Sequence, residues 1–373
     1  MIIIVVLALV AAGGLYGYLR YRFDQIHKVA VPSLSTAAAA AGAPYNVLLV
    51  GSDSRQGESA SQASQFGSAG VVTGQRSDVI KIVHIDPGAG TARILDIPRD
   101  TIVPLSGTPL SYGRINRINV PFGMSADALV QTIQNTFGIP IAHYVEISFT
   151  GFEGAVDAVG GVYLDFPYPA RDAYSGLNVT QTGCQLVGGT TALAVARARH
   201  YQYYKNGYWQ YDPSSDFGRI QRQDGFLKAL VNQAESRYNP LTVNAFLGSV
   251  VHDLTIDDTF SLADLVSLSQ RYHAFSPSTL QSYTLPAYSV GYWSSFGDVL
   301  FVKEPDAQAA ITQFLGQAPS APTTPPIGPS GYAVTVPQGG VTTTVAPAVP
   351  GRTATTTTTA PPPADFDPTP CTP

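Results

Sequence analysis

Short apolar segments alternate with amphipathic segments through most of this 373-residue chain. Three apolar segments of strand length occur early, in YNVLLVGSDSR, DVIKIVHIDP and TARILDIPRDT, and the last two are close enough in sequence to form a hairpin. The segment SADALVQTIQNTFG has helical spacing, with Ser125 as its N-cap and Gly138 as its stop. Alternating elements of this kind predict an α/β fold in which helices cover both faces of a sheet. We expect one such domain over residues 45–318.

The two ends of the chain differ in composition from this domain. Residues 1–19 are apolar over about the length that spans a bilayer, and no convincing A-x-A cleavage site follows, so we predict an uncleaved transmembrane anchor. Residues 20–44 contain a run of small residues and are predicted to form a linker. Residues 319–373 are rich in Pro, Thr and Ala and are predicted to be a disordered tail, whose very end docks on the domain if Cys371 is bridged.

Two features of the chain bear on its compartment. Arg20 and Arg22 follow the apolar segment and nothing basic precedes it, so the positive-inside rule alone places the domain in the cytoplasm. The Thr/Pro-rich tail is instead typical of cell-wall and surface proteins, and on that ground we expect an extracytoplasmic domain. The only cysteines, Cys184 and Cys371, form no C-x-x-C pair, which argues against a zinc site. In an oxidising compartment they could form a disulfide, and the alternative is two unrelated thiols.

Charged residues are sparse, at 13% of the chain, and the formal net charge is −5. This balance argues against a nucleic-acid-binding protein, which is normally basic over its binding domain. Any positive charge that matters for function must therefore be concentrated locally. Arg219 and Arg222 lie in the first turn of a helix predicted to begin at Asp216, where cations oppose the helix dipole. We therefore expect an anion in front of them, with Gln223 beside them.

Charged residues also occupy the ends of the predicted strands. Asp53 follows the first strand and Asp78 lies at the start of the second, and two carboxylates suit Mg²⁺, or Mn²⁺ in its place, with water and phosphates completing the ligand shell. Guanidinium groups suit phosphate oxygens, although the helix dipole also explains arginines at a helix C-terminus. The predicted phosphate-binding residues are Arg76, Arg99, Arg197, Arg199, Arg219, Arg222 and Gln223.

Six segments together resemble the LytR-CpsA-Psr family: NVLLVGSDSR, RSDVIKIVHIDP, LDIPRDT, DAVGGVYLDFP, GCQLVGGTTALAVARARH and DFGRIQRQ. The resemblance covers about residues 45–235, in order and with the expected spacing. It implies a three-layer α-β-α sandwich with a central mixed β-sheet. It also implies a membrane-anchored extracytoplasmic phosphotransferase, which moves a glycopolymer from a polyprenyl pyrophosphate carrier to a peptidoglycan sugar hydroxyl. The implied partners are the lipid-linked donor, the peptidoglycan acceptor and the cytoplasmic membrane.

The same resemblance implies roles for the charged residues. Asp53 and Asp78 would hold Mg²⁺ at the pyrophosphate, the predicted phosphate-binding residues would contact its oxygens, and an apolar tunnel in the core would take the lipid. Asp100 and Asp216 adjoin the arginines, and each is either a general base or a residue that orients an arginine. We expect catalysis to depend on Arg76, Arg99, Asp100, Arg197, Arg199 and Asp216.

Two segments leave questions open. Family members commonly have a Lys/Arg-Ile-Asn motif followed by an alanine and a tyrosine, whereas RINRINVPFG keeps Arg114, Ile115 and Asn116 without a nearby tyrosine. Acceptor preference is expected to differ if this segment shapes the acceptor side. The aromatic segment HYQYYKNGYWQYD, which contains Trp209, either stacks on sugar rings or is a packed loop.

Three other functions compete with glycopolymer transfer. A polyprenyl-pyrophosphate hydrolase would use the same site with water as the acceptor. A non-catalytic module that binds envelope polyanions would need the arginines but not both Asp53 and Asp78. A membrane-linked transcription regulator is disfavoured by the acidic balance and by the absence of a helix-turn-helix pattern or basic arm. The sequence does not distinguish teichoic acid, capsule or arabinogalactan as the polymer.

Overall fold

The computed structural model describes nine stretches of the chain, which are residues 16–35, 42–53, 77–106, 115–214, 216–236, 240–272, 280–293, 296–317 and 364–372. The first fifteen residues of the predicted transmembrane anchor lie outside these stretches, and residues 16–23 are helical. Among the described residues, no helix has the length and hydropathy that a membrane span requires.

The described strands and helices follow one another in a mixed order. The strands are β1 (His27–Val29), β2 (Tyr45–Ser52), β3 (Ser77–Asp86), β4 (Thr91–Asp96), β5 (Ile102–Pro104), β6 (Ile115–Arg117), β7 (His143–Ser148), β8 (Val162–Phe166), β9 (Ala170–Asp172), β10 (Leu177–Val179), β11 (Gly183–Val187), β12 (Gln202–Lys205), β13 (Tyr208–Tyr211), β14 (Leu254–Asp257), β15 (Gln281–Thr284), β16 (Ala287–Tyr292), β17 (Asp298–Val302) and β18 (Thr369–Pro370). The helices are α1 (Ala126–Phe137), α2 (Phe149–Ala158), α3 (Gly189–Arg197), α4 (Asp216–Ser236), α5 (Pro240–Val250), α6 (Leu262–Tyr272) and α7 (Asp306–Phe314).

Seven strands form the central sheet, in the order β1-β14-β7-β2-β3-β4-β15. The sheet is mixed, because β2 runs parallel to β7 and antiparallel to β3. The predicted hairpin of the second and third segments is confirmed as β3 paired antiparallel with β4. The predicted ends of α1 are also confirmed: the Ser125 hydroxyl accepts a hydrogen bond from the Ala128 amide, and Gly138 has a φ of 67°, which favours glycine.

Alternation along the strands divides the sheet into two apolar faces. Leu48 on β2 and Ile82 on β3 are fully buried in one cluster with residues of α1 and α7. Their neighbours, such as Leu49, point to the opposite face because successive side chains in a strand alternate. That face is covered by α2, α3 and α4, so helices lie on both sides of the sheet. This confirms the predicted three-layer architecture with a central mixed sheet.

The segment predicted to be a linker is part of the domain. Within residues 20–44, β1 pairs in parallel with β14 and adds the edge strand to the central sheet. Phe23 and Ile26 are buried in a third apolar cluster with Phe260. The prediction was wrong here because the small residues that suggested a linker begin only after Val31, whereas the preceding residues supply enough apolar surface to pack.

The end of the predicted disordered tail is ordered. β18 pairs antiparallel with β8, and the ring of Phe366 stacks on Tyr203 with 4.2 Å between their centroids. Cys371 forms a disulfide with Cys184 on β11, with 6.0 Å between their Cα atoms. Residues 318–363 lie outside the described residues. Residues 364–372 are hereafter the C-terminal clasp.

Loss of the disulfide is expected to destabilise the domain. The two cysteines are separated by 187 residues, and closing so long a loop restricts the unfolded chain. We expect Cys184→Ser combined with Cys371→Ser to lower the free energy of unfolding by about 2–4 kcal/mol in urea denaturation. Wild type unfolded in a reducing agent should show the same loss. Equal unfolding midpoints for the oxidised wild type and the double variant would contradict this expectation.

Candidate active site at one edge of the sheet

A cavity of about 370 Å³ lies between the central sheet and helices α2, α3 and α4. Its walls are mainly apolar and include Leu49, Ile147, Phe152, Leu193, Phe226, Leu227 and Leu254. Charged side chains that also line it are Asp78, Lys81, Arg99, Arg197, Arg199 and Arg219. An apolar enclosure with cationic groups on its lining suits an anion that carries a hydrophobic chain.

Acidic and basic side chains alternate along one edge of this cavity, at the start of β3 and just beyond the end of β4. Arg99 forms an ion pair with Asp78, and its Nε lies 3.7 Å from Asp100. Asp100 accepts a hydrogen bond of 2.8 Å from Arg199, whose Nε lies 3.2 Å from Asp216. Asp216 is in turn 2.8 Å from Arg219 on α4. We refer to this chain, from Asp78 to Arg219, as the charged edge.

The charged edge holds its cations in a partly dehydrated setting. Burial lowers the pKa of Arg219, and Asp216 opposes that effect without cancelling it. Burial acts in the same sense on Arg99, but the carboxylates of Asp78, Asp100 and Asp216 outweigh it, so the pKa of Arg99 is raised. An anion placed here would meet guanidinium groups that little water screens, where electrostatic attraction is stronger than in bulk solvent.

Arg197 and Gln223 line the same cavity from two helices. Arg197 lies in the last turn of α3, with its Cζ 4.4 Å from the ring centre of Phe149. The side-chain amide of Gln223 donates a hydrogen bond of 2.9 Å to the carbonyl of Ala196. Gln223 and Arg219 are four residues apart on α4, so both point toward the cavity from one face of the helix.

Arg222 does not share that position, contrary to the expectation that it faces an anion with Arg219. Its Nη1 donates hydrogen bonds of 2.7 Å to Asp212 and to Asp367 of the C-terminal clasp, and its Nη2 donates to the carbonyl of Ala198. Its side chain is fully buried and is absent from the cavity lining. Because its donors are directed at these partners, this placement does not support contact between Arg222 and a phosphate group.

The expected metal ligands lie at adjacent strand ends. Asp53 follows Ser52, which pairs with Ser77, the residue before Asp78. Within the described ranges, no group of three or more His, Cys, Asp or Glu side chains is placed to hold a metal ion. The two carboxylates nevertheless suit Mg²⁺, because this ion commonly takes one or two carboxylates and leaves its other positions to water and phosphate. Arg76 lies outside the described residues.

Arg117 on β6 is a site residue that the sequence analysis missed. Its Nε lies 3.3 Å from Asp100, so Asp100 contacts three arginines. Its Nη2 donates to the carbonyl oxygens of Phe296 and Asp298, which fixes the guanidinium against the β16–β17 hairpin. The motif RINRIN contains two arginines, of which the family resemblance involves only Arg114, a residue that lies outside the described residues.

A buried ion triad on the cavity wall was also missed. Lys81 on β3 lies opposite Asp96 on β4 and forms ion pairs with Asp96 and with Asp224 on α4, the latter at 2.7 Å. Burial and the nearby Asp224 raise the pKa of Asp96 to about 8, even though Lys81 acts in the opposite sense. The available signal was a lysine inside the apolar strand DVIKIVHI, since an unpaired buried lysine is costly.

Comparisons with known proteins agree on one family. The LytR_cpsA_psr family model matches residues 21–314. The chain is 33% identical over 217 residues to a probable cell wall biosynthesis protein, LcpB, of Corynebacterium glutamicum, which covers 57% of this chain and 48% of that protein. It is 29% identical over 216 residues to the polyisoprenyl-teichoic acid–peptidoglycan teichoic acid transferase TagV of Bacillus subtilis, covering 56% and 51%.

Solved structures show the same fold. A LytR-Csp2A-Psr enzyme from Actinomyces oris superposes with a TM-score of 0.61 at 22% identity, covering 79% of this chain and 97% of that one. The chain spans about half the length of LcpB and TagV.

Proposed function

The chain belongs to the LytR-CpsA-Psr family, and from that membership we propose that it is a phosphotransferase. The donor is a glycopolymer on a polyprenyl pyrophosphate carrier, the acceptor is a peptidoglycan sugar hydroxyl, and polyprenyl phosphate is released. TagV, a relative, is named as a transferase of teichoic acid to peptidoglycan, which supports this reaction class. Donors that carry teichoic acid, capsule or arabinogalactan can be compared in the assay described below to identify the polymer.

One observation carries the proposal: a single cavity joins apolar walls to the charged edge. A polyprenyl pyrophosphate has the matching division, because its chain is apolar and its head carries several negative charges. The lipid chain would lie against residues such as Leu49 and Phe226, and the phosphates would lie against Arg99, Arg199 and Arg219. Guanidinium groups bind phosphate oxygens through two parallel hydrogen bonds, which fixes orientation as well as charge.

The charged edge performs most of the chemistry that we propose. The acceptor hydroxyl oxygen bonds to the phosphorus next to the glycan, the bond from that phosphorus to the bridging oxygen breaks, and the hydroxyl proton passes to water. Arg99, Arg199 and Arg219 stabilise the charge that develops on the departing phosphate. Mg²⁺ held by Asp53 and Asp78 would add positive charge at the phosphates.

Asp100 and Asp216 are assigned to orienting the arginines. Asp100 already contacts Arg99, Arg117 and Arg199, and Asp216 contacts Arg199 and Arg219. A carboxylate engaged by two or three guanidinium groups fixes their positions but offers few free lone pairs to a hydroxyl proton. We therefore propose no general-base role for either aspartate.

We propose that the enzyme acts outside the cytoplasmic membrane, held by residues 1–19. The Cys184–Cys371 disulfide supports this placement, because disulfides persist in oxidising compartments. The apolar character of residues 1–19 supports the anchor.

Transfer is tested with the full chain in detergent, a synthetic lipid-pyrophosphate-glycan donor and a peptidoglycan fragment, with Mg²⁺ or EDTA. We expect Mg²⁺-dependent release of polyprenyl phosphate together with a glycan–peptidoglycan adduct. Release without an adduct at any acceptor would identify a hydrolase instead. Asp53→Asn combined with Asp78→Asn should abolish release, and unchanged function of that variant would identify a binding module.

A further inference from the structure

A second, smaller sheet presents an outer row of polar and aromatic side chains. Its four strands lie in the order β10-β9-β12-β13. The register places Asn178, Arg171, Gln202 and Tyr211 next to one another across all four strands. Neighbouring strands lie about 4.8 Å apart, so the row is about 14 Å long. Residues on alternate positions, such as Ala170 and Tyr203, are buried on the inner face.

Contacts between these side chains keep the row in place. The Nε of Arg171 donates a hydrogen bond of 2.9 Å to Gln202, and its Cζ lies 4.0 Å from the ring centre of Trp209. Tyr204 is the cross-strand partner of Trp209, and their rings meet edge to face with 5.4 Å between centroids. We call these six residues, namely Asn178, Arg171, Gln202, Tyr204, Trp209 and Tyr211, the aromatic row.

Four residues of the aromatic row are exposed, and the other two, Gln202 and Trp209, are half-buried. Tyr211 is 66% exposed and Tyr204 is 41% exposed. Contiguous exposed apolar side chains that are rimmed by polar groups are typical of interaction sites, whereas apolar side chains scattered singly over a surface are not. None of the six positions is a carboxylate, and Arg171 is the only charged residue among them.

The aromatic row lies next to the cavity. His200 lines the cavity and precedes Gln202 by two residues, a distance of about 7 Å along a strand. Tyr174, in the turn after β9, also lines the cavity and packs against His200 with 4.4 Å between ring centroids. The β12–β13 hairpin is thus inserted in the chain between Arg199 and Asp216 of the charged edge.

We propose that the aromatic row binds the sugar chain of the donor. This inference rests on the proposed function, which places the pyrophosphate at the charged edge and the lipid inside, so the glycan must leave the cavity outward. Ring faces pack on the C–H faces of sugars, while the amides, the guanidinium and the phenols hydrogen-bond to hydroxyl groups. A chain of phosphate groups would require more cations than Arg171.

The test compares two lipids that share a pyrophosphate head, one bare and one carrying a tetrasaccharide of N-acetylglucosamine. Binding to the full chain in detergent is measured by calorimetry without acceptor. We expect the wild type to bind the glycosylated lipid about ten-fold more tightly than the bare lipid, and Tyr204→Ala combined with Tyr211→Ala to lose that advantage while binding the bare lipid as before. Tyr288→Ala combined with Tyr292→Ala, two exposed tyrosines on β16, is the matched control and should keep the advantage.

A second readout separates this inference from the proposed function. Trp209 and Trp293 are the only tryptophans, so Trp293→Phe leaves Trp209 as the sole indole reporter. We expect the free tetrasaccharide to change the fluorescence of Trp209. If this change occurs although neither lipid binds, the proposed lipid site is overturned and the sugar site is kept. Equal binding of both lipids by the wild type, with no response of Trp209 to free sugar, would overturn the aromatic row as a sugar site. A larger response to vesicles or to polyphosphate than to sugar would overturn it as well.

Discussion

Arg199→Ala is expected to reduce kcat for release of polyprenyl phosphate by about 10²–10³-fold, the usual cost of removing one group that stabilises charge in a transition state. Arg199 links the two aspartates of the charged edge, through a 2.8 Å hydrogen bond to Asp100 and a 3.2 Å contact with Asp216. Its side chain is 30% exposed, so it retains surface for a phosphate. The variant removes that charge and releases both aspartates at once. Steady-state assays with saturating donor, acceptor and Mg²⁺ measure the effect.

Two further variants define the cause of that loss. Arg199→Lys keeps the charge but lacks the planar fork that can meet two carboxylates, so we expect an intermediate kcat. Arg93→Ala is the control. Arg93 lies on β4 six residues before Arg99, or about 20 Å along the chain, so we expect this variant to leave kcat unchanged. A kcat for Arg199→Ala within three-fold of wild type would remove Arg199 from the proposed mechanism.

Lys81→Met is expected to lower the free energy of unfolding by about 3–5 kcal/mol, as measured by urea denaturation. Lys81 is the only cation that the ion triad contains, and its side chain is 5% exposed. Its removal leaves Asp96 and Asp224 buried together, and an uncompensated buried charge is far more costly than a missing surface pair. Since Asp224 follows Gln223 on α4, we also expect weaker binding of the pyrophosphate head.

A compensated variant tests this explanation. When Asp96→Asn and Asp224→Asn are added to Lys81→Met, no charge remains in the triad, and we expect most of the stability to return. Lys303→Met is the matched control, because Lys303 pairs with Asp306 at the surface, where ion pairs contribute about 1 kcal/mol or less. A loss below about 1 kcal/mol in Lys81→Met would show that the two carboxylates do not need the lysine.

Local sequence patterns were sufficient to predict elements whose contacts join residues close in sequence, and sites whose motifs are distinctive. The apolar runs predicted β2, β3 and β4, and Ser125 and Gly138 predicted both ends of α1. Several arginines predicted from strand and helix ends do lie on one cavity. Their clustering was foreseeable because strand ends meet at one edge of a sheet, and each charged group there lacked an explanation in apolar packing.

Contacts between distant segments were not foreseeable in the same way. Lys81 and Asp224 are 143 residues apart, and only strand register together with the packing of α4 brings them into contact. The sequence predicts one role for Arg222 and Arg219 because both lie in one helical turn, yet Asp367, 145 residues away, accepts a hydrogen bond from Arg222 and directs its guanidinium elsewhere. β1 was missed because three residues carry too little pattern to indicate a strand without the partner that pairs with them.

The link between Cys184 and Cys371 makes part of this molecule a covalent ring, because the backbone between the two residues is closed on itself through sulfur. One backbone cut between residues 318 and 363 would therefore open the ring without dividing the molecule. Both fragments would migrate together on a non-reducing gel and separate only after reduction. Asp367 would stay against Arg222 in the nicked protein, so the helix that carries Arg219 would keep its support after such a cut.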